Sequence, residues 1–188
     1  MSKKVFSPLG SSQHSKEARA RNDYYASPPR AVRDLCSKVT FKGSIWEPAC
    51  GEGHISKALI LKGYEVHSTD LIDRGYGKVK DFFLVRKSLG DNIITNPPYN
   101  RALEFAQHAM HILPKGGRLA LLLKVLFLEG KERGQWFREY PPSRIYVYSK
   151  RIVCAKNGKF DEIRGAAVAY AWFIWKKGVK RAPRIYWI

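Results

Sequence analysis

Asn96-Pro97-Pro98-Tyr99 follows directly on the apolar run Asn92 to Thr95. A short apolar run of that kind reads as a buried strand, and the carboxyl end of such a strand is where open α/β sheets bind ligands. Two successive prolines, each with its φ fixed, stiffen the loop and hold a carboxamide and a phenol ring in one place. Upstream, Glu47-Pro48-Ala49-Cys50-Gly51-Glu52-Gly53 sits where a strand turns into a helix. Its two glycines let a ligand approach the backbone closely. Ser56 stands where the dinucleotide fingerprint wants a third glycine, and no lysine follows as a P-loop requires, which argues against NAD and ATP. Asp70 ends the next β-rich run, where a carboxylate accepts hydrogen bonds from a ribose diol. Asp81-Phe82 adds another acceptor and a flat apolar surface suited to an adenine ring. Together these groups point to an adenosine derivative as ligand.

The elements that must position them follow from hydrophobic periodicity. Ser27-Pro28-Pro29 starts a helix that Ala31, Val32, Leu35 and Val39 carry to about residue 39. Ser44 to Trp46 reads as a strand, Ile55, Ala58, Leu59 and Leu61 as a helix closed by Gly63, and Tyr64 to Thr69 as a second strand. A strand at Asn92 to Thr95, a helix over about 101–113, a Gly116-Gly117 turn and a strand at Arg118 to Leu123 continue the pattern. Such alternation predicts an α/β fold with a mostly parallel sheet flanked by helices. From Arg144 onward the texture changes to short β-rich runs, Ile145 to Tyr148, Ile152 to Ala155 and Ala166 to Trp175, which read as edge strands or a hairpin. The aromatic residues Tyr170, Trp172, Phe173 and Trp175 read as core in preference to a base-stacking platform.

The 188 residues suit one domain, and 45% hydrophobic residues exclude a disordered or collagen-like chain. Residues 1–22 read as a basic, flexible arm and 23–188 as the folded unit. The 34 Lys and Arg against 16 Asp and Glu leave +18, a surface that attracts polyanions and makes nucleic acid the first partner to consider. Cys36, Cys50 and Cys154 show no C-x-x-C spacing, so neither a disulfide framework nor a zinc knuckle is expected. Among the histidines, His108 and His111 share a helix face, but two ligands make no zinc site, and no metal is expected. The apolar stretch Leu119 to Leu128 is broken by Lys124 and too short for a bilayer span, and no apolar segment follows Lys3 and Lys4 as in a secretory signal. A cytoplasmic location is expected.

Over about 24–175 these motifs resemble the class I S-adenosylmethionine-dependent methyltransferases, and within them the compact adenine-N6 DNA methyltransferases of NPPY type, met in phages and lacking a separate target recognition domain. Tyr25-Ala26-Ser27-Pro28 is similar to the family's N-terminal cofactor motif, and Glu47 to Gly53 to its glycine motif. Asp70 with Leu71 resembles its ribose-binding acid, Asp81-Phe82 its adenine pocket, and Asn96 to Tyr99 its catalytic tetrapeptide. The resemblance implies a Rossmann-like sheet with an antiparallel last strand and S-adenosyl-L-methionine as cofactor. It further implies transfer to the exocyclic N6 of adenine. By the resemblance, the Asn96 side-chain carbonyl and the Pro97 backbone carbonyl accept the two N6 hydrogens while Tyr99 stacks on a flipped-out base.

Other substrates pose related problems. Cytosine C5 methylation needs a thiolate, usually after proline in that family, whereas the three cysteines here follow Leu, Ala and Val. Cytosine N4 enzymes usually carry Ser in place of Asn96. Adenine in RNA and the side-chain amide of glutamine in release factors remain alternatives, as does a nucleic-acid-binding protein without turnover. Lys150, Arg151, Lys156 and Lys159 are the expected phosphate contacts, in a segment from Ser149 to Ile188 that holds ten Lys or Arg against Asp161 and Glu162.

Overall fold

A computed structural model describes residues 24–156 and 168–188. The basic arm assigned to residues 1–22 and the expected phosphate contact Lys159 lie outside the described residues. Strands and helices follow in the order β1 Tyr25–Ala26, α1 Pro29–Lys38, β2 Ile45–Glu47, α2 His54–Ile60, β3 Val66–Asp70, β4 Lys78–Val79, β5 Asn92–Thr95, α3 Ala102–Ile112 and β6 Arg118–Lys124. There follow α4 Lys131–Glu139, β7 Arg144–Val147, β8 Ala155–Lys156, β9 Tyr170–Lys176 and β10 Arg184–Trp187.

Eight of the strands form one sheet in the order β10-β7-β9-β6-β5-β2-β3-β4. The five from β6 to β4 are mutually parallel. β9 enters antiparallel between β6 and β7, and β10 lies beyond β7, parallel to it. The run Ala166 to Trp175 was expected at an edge or in a hairpin. Its described part, β9, pairs antiparallel with β7 as a hairpin strand does but lies in the sheet interior instead of at an edge, and Tyr170 to Trp175 are all buried. A strand covered on both faces needs apolar residues at every position, which is why this run does not alternate.

The pleat divides the core in two. Ile94, Ala120, Leu122, Trp172 and Ile174 point to the face covered by α1 and α2. Their sequence neighbours Ile93, Leu119, Leu121, Leu123, Phe173 and Trp175 point to the face covered by α3 and α4. In α1 the buried residues Ala31, Val32 and Leu35 make one stripe, and Pro29 stands at the first helical positions, where its missing N–H costs nothing. The Trp172 indole N–H donates to the Ala31 carbonyl at 3.0 Å and so pins the first turn of α1 to the middle of the sheet.

β1 joins none of these strands. It pairs antiparallel with β8, Tyr25 opposite Lys156 and Ala26 opposite Ala155. Among the described residues no helix is long and apolar enough to cross a membrane, and no group of three or more His, Cys, Asp or Glu is placed to hold a metal ion.

Candidate active site

One cleft lies at the carboxyl ends of β2, β3 and β5. Its walls include Tyr25, Ser27, Glu47, Pro48, Ala49, Cys50, Asp70, Leu71, Asp81, Phe82, Asn96 and Pro98, which the sequence had singled out from five separate segments. Pro28, Gly51, Gly53, Pro97 and Tyr99 stand beside the lining without forming it. Tyr24, His54, Arg74, Phe83, Arg101 and Phe105 line it as well and had no motif to announce them. Their only signal in the sequence is adjacency: Tyr24 precedes the Tyr25 motif, Phe83 follows Phe82, and Arg74 lies in the loop after Asp70.

The glycine turn is shaped by what covers it. Gly51 and Gly53 have φ of 54° and 80°, and a Cβ on them would stand 2.0 Å from the Tyr24 ring and 2.3 Å from the Tyr76 ring respectively. The Asp70 carboxylate holds the turn from below, accepting from the Gly51 N–H at 2.7 Å and from the Ile72 N–H at 3.0 Å. The absent third glycine also has a reason. The Ser56 N–H donates to buried Glu47 at 2.7 Å, the Ser56 hydroxyl bonds the same carboxylate oxygen, and the Ser68 hydroxyl lies 2.6 Å from that of Ser56.

Burial pushes the Glu47 carboxyl from its ordinary 4.5 up to about 8; the bonds from Ser56 pull it down and nearby Asp70 pushes it further up. Between those two pH values the folded chain keeps a proton that the unfolded chain releases, so this group's contribution to stability falls as pH rises through the window. Glu47→Gln keeps the acceptor for Ser56 and removes the titration. Thermal melts from pH 5 to pH 8 are expected to lose that part of their downward slope in the variant; parallel slopes would show that Glu47 is not the group responsible.

Burial raises all three thiols, Cys50 and Cys154 to about 12, so they stay protonated near neutrality. That disfavours a thiolate nucleophile and with it cytosine C5 chemistry.

Asn96 follows β5 at the cleft. Its Nδ2 donates to the Tyr25 carbonyl at 2.9 Å and to the Ser27 hydroxyl at 3.1 Å, which fixes the plane of the carboxamide. Its Oδ1 is thereby turned away from both, buried and without a hydrogen-bond partner. An unpaired buried acceptor costs roughly 1–3 kcal/mol.

Tyr99 is engaged within the protein. Its ring packs on Tyr25 at 5.3 Å and Tyr170 at 6.1 Å, its hydroxyl donates to that of Tyr170 at 3.2 Å, and the Lys124 ammonium sits 4.6 Å above the ring. Stacking on a base therefore requires Lys124 or Tyr25 to yield a ring face. Phe82 stacks on Phe105 at 4.5 Å, and Asp81 accepts from the Phe83 N–H at 2.8 Å to form the turn that carries Phe82 and Phe83. Of the expected phosphate contacts, Lys150 and Arg151 are exposed beyond β7, and the Lys156 backbone pairs with Tyr25.

No family model and no curated protein matches the sequence. Solved structures do match. A proposed class I S-adenosylmethionine-dependent methyltransferase from Listeria monocytogenes superposes with a TM-score of 0.57 at 15% identity, over 86% of this chain and 64% of that one. The fold is that of the class I methyltransferases. The modification subunit of a proposed type I restriction enzyme from Vibrio vulnificus gives 0.60 at 13%, over 88% of this chain and 47% of that one. A proposed RNA methyltransferase from Pyrococcus horikoshii gives 0.58 at 14%, over 80% and 83%. This chain thus spans about two thirds of the Listeria protein and about half of the Vibrio subunit.

Proposed function

We propose that the protein is an S-adenosylmethionine-dependent methyltransferase acting on the exocyclic N6 of adenine in DNA. The observation that carries the reading is the Asn96 carboxamide in the cleft wall, clamped through its nitrogen and leaving a buried oxygen without a partner. The donor set fits the cofactor: a glycine turn, an acid at the end of β3 for a ribose diol, and the Phe82 and Phe83 rings for an adenine. When bound, the cofactor supplies an electrophilic methyl group on a sulfonium.

The chain's own part is to make an amine nucleophilic. The N6 lone pair of adenine is delocalised into its ring, and it becomes available once both N6 hydrogens are drawn into hydrogen bonds out of the ring plane. Asn96 Oδ1 and the Pro97 carbonyl are the two acceptors in this reading. Positive charge growing on the nitrogen strengthens these bonds, which places their largest benefit in the transition state. No covalent bond to the protein is needed. The +18 charge favours a nucleic-acid substrate over a glutamine side chain, and Lys150, Arg151, Lys156 and Lys159 are assigned to its phosphates.

The test is transfer of labelled methyl groups to unmethylated duplex DNA, single-stranded DNA, RNA and a glutamine-bearing release-factor peptide, with mass analysis of the product. N6-methyladenine in DNA is the expected result. Label confined to RNA or to the peptide would keep the Asn96 chemistry and replace the substrate. Label in none, with cofactor binding intact, would leave a binding protein without turnover. For the phosphate assignment, a Lys150→Ala, Arg151→Ala double variant is expected to flatten the slope of log affinity against log salt by about 2, at roughly 0.9 for each phosphate no longer neutralised; an unchanged slope rejects it.

A further inference from the structure

Arg74 lies in the loop after β3 and lines the cleft with Glu47, Asp70 and Tyr24. Its guanidinium sits 4.7 Å over the Tyr24 ring, its Nε is buried without a hydrogen-bond partner, and it joins none of the ion pairs among the described residues. Arg101, the other arginine of the lining, is paired with Glu104 at 2.6 Å. A guanidinium with a buried unpaired N–H is costly in isolation, and its planar fork matches a carboxylate better than any other small anion except phosphate.

The platform beneath it is fixed. The Tyr24 hydroxyl accepts from the Glu52 N–H at 3.2 Å and lies 3.0 Å from His54 Nδ1, while the ring covers Gly51 at a distance no side chain there would permit. Arg74 is thereby held above the glycine turn, in a cleft whose walls also include the acids Asp70 and Asp81. Those acids suit cations and hydroxyls; Arg74 suits the one anionic group of a ligand that is an adenosine at one end and an amino acid at the other.

We infer that Arg74, seated on Tyr24, binds the α-carboxylate of the cofactor's amino-acid end. The inference rests on the reading of this cleft as an S-adenosylmethionine site. It makes Arg74 a binding residue that discriminates the whole cofactor from its nucleoside fragment.

Calorimetric titration with two probes tests it: S-adenosylhomocysteine, which carries the amino acid, and 5′-methylthioadenosine, which shares the adenosine and the thioether but lacks it. For Arg74→Ala the dissociation constant of S-adenosylhomocysteine is expected to rise at least tenfold while that of methylthioadenosine stays within twofold. Arg74→Lys, which keeps the charge and loses the fork, is expected to fall between. Equal weakening of both probes would show that Arg74 only supports the loop, and unchanged binding of both would show no role; either overturns the inference while leaving the cofactor reading in place. Wild-type protein that binds neither probe would overturn the cofactor reading itself.

Discussion

Asn96→Ala is expected to lower the rate of methyl transfer by about 10²–10³-fold, the loss found when one preorganised hydrogen-bond partner of a developing charge is removed. The reason is geometric. Asn96 Nδ2 is committed to Tyr25 and Ser27, so the carboxamide cannot rotate to offer its nitrogen, and Oδ1 is the atom that the proposed reading gives to a substrate amine. The effect should fall on turnover, with affinity for S-adenosylhomocysteine changed far less. Asn96→Asp is the sharper control. It keeps an acceptor where Oδ1 lies but places a second oxygen against the Tyr25 carbonyl, so it should be no better than alanine despite its near-identical shape. Single-turnover measurement of both variants beside the wild type checks this, and a loss under tenfold for alanine would remove Asn96 from the chemistry.

Stability gives the second large effect. Trp172 is fully buried in β9, and its indole N–H donates to the Ala31 carbonyl and, at 3.1 Å, to the Tyr148 hydroxyl. Trp172→Ala is expected to cost about 3–5 kcal/mol, a large part of the roughly 5–15 kcal/mol that holds a domain together. Trp172→Phe retains most of the packing and loses the donor, so about 1–2 kcal/mol is expected. Denaturant midpoints of both variants check the ranking. A loss under 1 kcal/mol for alanine would mean that the two cores yield around the hole, contrary to the packing described.

Much of this was legible in the sequence because the informative elements are buried. β5 coincides with the expected run Asn92 to Thr95, and α1, α2, α3 and β6 fall within a residue or two of the expected bounds where their apolar stripes begin and end. α4 had no such stripe: Gly134 interrupts it and Trp136 is its one buried residue. β10 is exposed at all four positions, so nothing in it alternates. The site divides in the same way. Residues at strand ends carry recognisable types at recognisable spacing, whereas Arg74 and Tyr24 enter the cleft only because one loop folds over another. Tyr99 was recognised, but its engagement with Tyr25, Tyr170 and Lys124 depends on partners from three other segments and could not be read locally.

The pairing of β1 with β8 gives assembly of this protein an order. The parallel strands from β2 to β6 bring most walls of the cleft together within one stretch of chain. The carboxamide is aimed, however, by Tyr25 and Ser27, and that segment is held on one side by Ala155 and Lys156 and on the other, through Ala31, by Trp172. Both anchors come late in the sequence, and such distant closures are the slow steps of folding. A chain halted after β6 would hold Asn96, Tyr25 and Ser27 but lack both of these late anchors. The last strands thus act as the latch on the Asn96 carboxamide.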